Sequence, residues 1–314
     1  MKAFYIDELV RAVGGNLSRC KGTVDRVTGV GTDSRRIALG DVYIPLIGER
    51  FDGHDFIPQA LESGASGLVV ERHRVNGSGD DAGFVIEVDD TTRALGRLAT
   101  FLRRMLPARV IGVTGSGGKT TTKTMIEHLL RKAGRRVVAA PKSFNNRIGV
   151  PLTLLQADVK TQYVVVEMGT NAPGEIAELA QIARPDVAVI TNIGPSHLEK
   201  LGSLDGVMRE KGAIFEGMAE GGVGVLNFDD ERCRRLADRV PGWFVSYGLA
   251  EDADVRAFEV SRRSGSDGFD VQLADGTRFA LPAAGRHNVT NALAAIACCV
   301  ALELEPRETA PLFA

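Results

Sequence analysis

From residue 109 onward the chain repeats one motif: a short, almost unbroken apolar run, then a polar or glycine-rich stretch, then an amphipathic segment. The apolar runs fall at residues 109–114, 137–140, 163–168, 186–193, 222–227 and 243–246. Strands without a polar side are buried on both faces, so the pattern predicts a doubly wound, mostly parallel sheet with helices on either side. Over residues 255–281 the runs give way to alternation, with Ala274-Asp275-Gly276 as a turn, and an added β-hairpin is expected there. A helix over about 289–303 closes the chain.

The first hundred residues carry their own alternation. Strands are expected at 42–46, 67–70 and 84–88 and helices at 56–63 and 91–104, with 76–83 an exposed turn. That suffices for a small α/β domain. Pro107 ends the preceding helix, so residues 106–109 read as the hinge between a domain over 1–106 and a second over 107–314.

Composition narrows the function classes. The 314 residues are 44% hydrophobic and 25% charged, ordinary for a soluble protein with two cores. A formal net charge of −2 gives no electrostatic case for nucleic acid or an anionic membrane, so a small ligand is expected. Asp7 and Glu8 interrupt the first apolar run, and no later run reaches the roughly 18 residues of a membrane span. A cytoplasmic protein is expected. Cys20, Cys233, Cys298 and Cys299 show no metal-ligand spacing and read as core residues.

The chemistry begins at Thr114-Gly115-Ser116-Gly117-Gly118-Lys119-Thr120-Thr121, between an apolar run and an amphipathic helix. Glycines let backbone N–H groups turn inward around a polyphosphate, and the following helix N-terminus adds partial positive charge. Lys119 is placed to reach the β and γ phosphates of a nucleoside triphosphate, and Thr120 to put its hydroxyl on a magnesium ion. The general phosphate-loop pattern asks for a glycine where Val113 stands, with Gly112 one place further back.

Further candidates sit after the other apolar runs. Glu167 ends one, at the carboxyl rim where ligands gather in open α/β sheets, so it suits magnesium or is simply solvated. His197 follows another and reads either as a ligand to a second metal ion or as an ordinary hydrogen-bonding residue. Lys211 shares a helical face with Val207 and Phe215. A lysine there must snorkel, pair with a carboxylate or lose its charge, and a neutral amine can take up carbon dioxide to become an anionic carbamate ligand. Asn288 is placed to cap the last helix, but capping leaves Asn291, three residues on and on the same face, unexplained. The pair suits a nucleotide base or phosphate. In the first domain, residues 31–36 and 48–54 mix turn residues, hydroxyls and arginines as anion sites do, and each alone reads first as a surface turn.

Taken together, these motifs resemble the Mur ligase family, ATP-dependent enzymes that add amino acids to the UDP-muramoyl precursor of peptidoglycan. The resemblance covers the whole chain and rests on the loop with its short glycine spacing, Glu167, His197, Lys211 and the run His287-Asn288-Val289-Thr290-Asn291. Residues 145–155, 167–176, 32–35 and 48–56 are similar to the branch that adds D-alanyl-D-alanine to the UDP-muramoyl tripeptide, rather than the branch that adds the third residue. The resemblance implies a mechanism: the tripeptide carboxylate attacks the γ-phosphate to give an acyl phosphate, and the incoming amine displaces phosphate. It also implies ATP on Gly115 to Thr121 with Asn288 and Asn291. Magnesium falls to Thr120 and Glu167, a second magnesium to His197 and carbamylated Lys211, with Lys119, His197 and Lys211 as catalytic groups. The UDP moiety falls to Ser34 and Arg35, and the sugar-peptide to Asn146, Thr191 and Asn192. A monomer is expected.

One departure matters. The family carries a third, C-terminal domain that closes over ATP, and residues 311–314 end the chain where it would begin. A fragment is expected, one that binds the UDP-substrate and ligates poorly or not at all, with ATP binding left open. Two other classes compete: a phosphate-loop switch or transport ATPase, whose partner binding depends on nucleotide, and a non-catalytic binding module.

Overall fold

The computed structural model describes residues 3–22, 24–72, 74, 79–141 and 143–314, so the start of the expected turn, 76–78, lies outside the described residues. The chain divides into two compact units: Met1–Leu106 with Leu154–Val159, and Pro107–Thr153 with Lys160–Ala314.

The first unit is built on a five-stranded sheet in the order Asn16–Cys20, Phe84–Val88, Gly67–Glu71, Asp41–Tyr43, Gly29–Gly31. Its first pair is antiparallel and the rest are parallel. Tyr43, Ile57, Leu68, Val70 and Val85 form a buried cluster on it. The helix Thr91–Met105 starts where the Asp90 carboxylate accepts from Arg93 N at 2.8 Å and stops just before Pro107, which has no N–H with which to continue it. The sequence pattern predicts no element before residue 41, yet the helix Ile6–Val13 is there, with Ile6, Leu9, Ala12 and Val13 facing inward. The strands in that stretch are two to five residues long and largely exposed, so they carry no apolar run. Cys20 lies exposed on the edge strand, not in a core.

In the second unit nine strands form one sheet: Arg278–Leu281, Phe269–Leu273, Val255–Arg262, Phe244–Gly248, Val223–Asn227, Val187–Ile190, Arg109–Thr114, Tyr163–Glu167, Val137–Ala139. The pairs from Val137–Ala139 through Val255–Arg262 are parallel, and the last two pairs are antiparallel. The expected hairpin is therefore a three-stranded meander that continues the main sheet. Alternation marks a half-buried strand but not where it reverses, and the second turn lies in the Ser264 to Gly268 run of turn-forming residues.

The core joins Ile111, Val113, Val165, Val189 and Val225 of the sheet to Ile126 and Leu129 on one helix and Leu293 and Ile296 on another. The helix His287–Ala301 is buried almost all round, which explains its run of alanines and places Cys298 and Cys299 inside. Burial pushes the Cys299 thiol up to about 12 and that of Cys298 well above its ordinary value, so both are inert. Among the described residues no helix is long and apolar enough to cross a membrane.

Register sets the site. Arg109–Thr114 lies between Tyr163–Glu167 and Val187–Ile190, with Val113 opposite Glu167 and Thr114 opposite Ile190. Three carboxyl ends therefore reach one rim together, where open α/β sheets bind their ligands.

Candidate functional site

The loop opens directly from the central strand. Val113, at the position where a glycine is commonly found, is fully buried and paired with Glu167, so the strand simply runs one residue further before the turn begins. Gly115 has φ 148° and Gly118 φ 77°, a region that side chains disfavour. Space makes the same demand: a Cβ on Gly115 would strike Thr191 Oγ1, and one on Gly118 would strike Asn291 Oδ1. The helix Lys119–Lys132 then starts with its free N–H groups facing the turn. Thr121 is exposed in its first turn.

A second segment, residues 191–196, holds the loop in shape. Ser116 N donates to Asn192 O at 3.0 Å, and Gly117 N donates to Asn192 Oδ1 at 2.9 Å. Asn192 Nδ2 and Thr191 Oγ1 donate to Gly117 O at 3.1 and 2.5 Å. Ser116 Oγ donates to Gly194 O at 2.9 Å. Thr191 is expected from the resemblance to face a sugar-peptide; the fold buries it under the loop, with its hydroxyl on a loop carbonyl. Asn192 likewise directs both ends of its amide at Gly117.

Glu167 is buried, not solvated, at 1% exposure. Thr120 Oγ1 donates to its Oε2 at 2.7 Å, and Asn145 Nδ2 donates to its Oε1 at 2.8 Å. A carboxylate and a hydroxyl thus sit side by side where the loop helix begins, an all-oxygen pair of the kind hard divalent cations prefer. Nothing in the sequence singles out Asn145 over its neighbour Asn146. Asn146 Oδ1 instead accepts from Ile148 N and Gly149 N, at 3.1 and 2.9 Å, at the start of the helix Gly149–Leu155.

Two lysines follow, Lys119 within reach of the Glu167 charge and Lys211 within reach of Lys119. Lys119 Nζ donates to Gly115 O at 2.9 Å; burial lowers its pKa, against the raising influence of the Glu167 charge. Lys211 is 2% exposed, and among the described residues its amine makes no hydrogen bond or ion pair, so no carboxylate offsets its charge by direct contact. Burial first, then the Lys119 charge, pushes its pKa down to about 8, with Glu210 pulling the other way. Glu210 is no partner for it: its carboxylate accepts from Gly174 N and Ile176 N at 2.7 and 2.9 Å, capping the helix Glu175–Ala183. This cap comes from 34 residues away or more, so no local capping signal announces it. His197 is exposed with a left-handed φ of 52°, and its side chain forms no hydrogen bond among the described residues.

The asparagine pair lies against the start of the loop helix. Asn291 Nδ2 donates to Asn288 Oδ1 at 3.0 Å, and Asn291 Oδ1 packs on Gly118. Asn288 does not cap the helix: the cap position is Arg286, already in helical conformation, and Asn288 Nδ2 donates back to Ala284 O at 2.7 Å. Among the described residues no group of three or more His, Cys, Asp or Glu side chains comes together as a metal cage.

In the first unit the two turn segments are short 3-10 helices. Ser34 is buried, with its hydroxyl donating to Gln59 Oε1 at 2.7 Å. Arg35 is exposed and clasps Asp33 through Nε and Nη2, both at 2.9 Å. His54 is buried between Asp52, 2.6 Å from its Nδ1, and Glu71 N, which donates to its Nε2 at 3.1 Å.

Residues 113–299 match the Mur ligase middle domain, and residues 26–103 match the domain described as Mur ligase family, catalytic domain. The chain is 40% identical over 305 residues to the UDP-N-acetylmuramoyl-tripeptide--D-alanyl-D-alanine ligase of Bacillus subtilis (strain 168), covering 97% of this chain and 65% of the relative. It is 37% identical to the ligase of the same name from Escherichia coli (strain K12), over 95% of this chain and 64% of that one. It therefore spans just under two thirds of the length of these curated relatives. Among solved structures it superposes on MurF from Acinetobacter baumannii with a TM-score of 0.89 at 31% identity, covering 100% of this chain and 68% of that one. MurF ligase from Thermotoga maritima in complex with ADP gives 0.78 at 31% identity, over 90% and 66% of the two chains.

Proposed function

The chain belongs to the Mur ligase family, and from that premise we propose that it carries the ATP and UDP-substrate sites of a UDP-N-acetylmuramoyl-tripeptide--D-alanyl-D-alanine ligase. The names of the B. subtilis and E. coli relatives support the choice of branch, and the ADP in the T. maritima structure supports an adenine nucleotide. One observation carries the site reading: the Glu167 carboxylate, buried between the Thr120 hydroxyl and the Asn145 amide at the head of the loop helix.

In the proposed reaction a carboxylate oxygen of the tripeptide bonds to the γ-phosphorus of ATP and ADP leaves with the electron pair. The amine of D-alanyl-D-alanine then bonds to the acyl carbon, phosphate leaves, the nitrogen loses a proton and an amide remains. Such chemistry is mostly positioning and charge neutralisation. Lys119 and the loop amides balance the β and γ phosphates, while Asn288 and Asn291 face the ATP from beside Gly118. Mg2+, when bound, offsets the remaining phosphate charge. The donors fit it, since Thr120 and Glu167 offer a sparse oxygen set of the sort Mg2+ completes with water and phosphate. His197 and Lys211 are the candidates for a second ion. Lys211 serves as its carbamate, formed when the neutral amine adds to CO2 and releases one proton, and its depressed pKa favours that amine.

Residues 1–106 form the UDP-substrate domain on this reading, through Ser34 and Arg35, and residues 107–314 the ATP domain. Asn146 is the remaining candidate for the sugar-peptide. The protein works in the cytoplasm as a monomer, without nucleic acid. Phosphate release from ATP by the complete gene product tests the reading. Release is expected with UDP-muramoyl tripeptide plus D-alanyl-D-alanine. Release only with the UDP-muramoyl dipeptide and single amino acids would move the protein to the neighbouring branch, and none with either would sink the ligase reading.

A further inference from the structure

Thr191 holds the phosphate loop from beneath and is itself held. Its carbonyl accepts from Asn227 Nδ2 at 2.9 Å and from the Tyr247 hydroxyl at 3.1 Å, and Tyr247 also reaches Ile190 O at 3.2 Å. The strands Val187–Ile190, Val223–Asn227 and Phe244–Gly248 are successive neighbours, and Asn227 stands opposite Tyr247. Both donors therefore come from the carboxyl ends of the next two strands, just beyond the last paired residue Ile190. Tyr247 is fully buried, and burial, followed by Cys233, Asp229 and Asp230 around it, raises its pKa well above the ordinary value, so the phenol stays a donor. A phenol hydroxyl in such a core is costly unless bonded, and here its partners are the two carbonyls that lead into the loop strap.

We propose that Tyr247 and Asn227 are positioning residues for phosphate binding. They fix the Thr191 peptide, which sets the Thr191 hydroxyl on Gly117 O and so fixes the peptide plane between Gly117 and Gly118. In a trans peptide the N–H points opposite the carbonyl. Holding Gly117 O toward Thr191 turns Gly118 N–H away from it, into the cradle. The proposal rests on the nucleotide reading of the loop, but its structural half can be tested without nucleotide.

Tyr247→Phe keeps the ring and removes the hydroxyl; Thr191→Val removes the hydroxyl at nearly constant shape; Thr191→Ser keeps it. In the nucleotide-free protein, hydrogen exchange at the Ser116 and Gly117 amides should quicken about 5- to 10-fold in Tyr247→Phe and in Thr191→Val, with the helix Thr91–Met105 unchanged. Thr191→Ser should match the parent. The double variant should exchange no faster than Thr191→Val alone, because both changes break the same strut. Affinity for MgADP should fall in step, by about 5- to 10-fold in the two disruptive variants. Unchanged loop exchange in Tyr247→Phe, acceleration everywhere in the chain, or single-variant effects that multiply would each overturn the proposal. A parent protein that does not bind MgADP would overturn the nucleotide reading instead, with the exchange data still deciding the strut.

Discussion

The loop at Gly115 to Thr121 and the turns at 33–36 and 52–54 use similar residues, glycine, hydroxyl and cation, yet they are held in opposite ways. In the turns the carboxylates close on near neighbours, Asp33 on Arg35 and Asp52 on His54, each two residues on, and only Ser34 on Gln59, Glu71 N on His54 and Arg74 on Asp52 reach 17 to 25 residues away. In the loop nearly every partner is distant in sequence, with Thr191 and Asn192 on Gly117, Glu167 on Thr120 and Asn291 on Gly118. A locally closed turn can form early and tolerate change. A loop closed by the ends of two other strands and by a helix exists only when the sheet and its cover are complete, and it is rigid for that reason. Rigid, desolvated donors suit a transferring phosphate, whose charge must be met without reorganisation.

The largest test of this contrast is Lys119→Ala. It should lower ligation by the complete gene product about 1,000-fold or more, because charge stabilisation at the phosphates is lost; turnover within tenfold of the parent would remove Lys119 from its role. Next, Asn145→Ala should cut turnover about 10- to 100-fold and raise the magnesium needed for half-maximal rate, by freeing one oxygen of the Glu167 carboxylate to move. An unchanged magnesium dependence would show that Asn145 does not position it.

Lys211→Met probes the other side of the site through pH. The amine has a folded-state pKa of about 8 against an ordinary 10.5, so between those values the unfolded chain binds more protons. Stability should therefore rise as pH climbs from about 8 to 10.5 and be flat below, with the buried charge costing on the order of 3 kcal/mol at neutral pH. Lys211→Met should remove that rise and stabilise the fold at pH 7 in CO2-free buffer while abolishing ligation. A denaturation series showing the same pH slope in both proteins would contradict the burial argument. The smallest effect is expected in the first unit. Arg35→Ala breaks only an exposed local pair, so thermal stability should hold while affinity for the UDP-substrate falls about 3- to 10-fold. Unaltered affinity by calorimetry would leave the 33–36 turn as a surface turn.

Much of the second unit is legible in the amino-acid sequence alone. Uninterrupted apolar runs are hard to accommodate except as strands covered on both faces, and Val113, Val165, Val189 and Val225 all lie in that core. The first 31 residues are not legible in this way, because strands such as Phe4–Tyr5 and Arg26–Val27 are too short to show a period. Glu167 stands out by its place at a strand end, and Lys211 by its helical face. Asn145, Glu210 and Tyr247 do not, since nothing near them in sequence signals a partner. Thr191 stands out but its direction does not, because a strand end offers a hydroxyl both to the rim above and to the loop beside it.

The layered α/β design, the phosphate loop and the candidates along its rim can be read from the order of residues alone. Those depend on periods and spacings among neighbours, which local sterics and burial enforce. Which polar groups meet is a property of the folded chain. A hydrogen bond between residues 22 positions apart, as for Asn145 and Glu167, or 74 apart, as for Thr191 and Gly117, follows from strand order and register. Those are set by how the whole sheet packs, and no short window of residues encodes them.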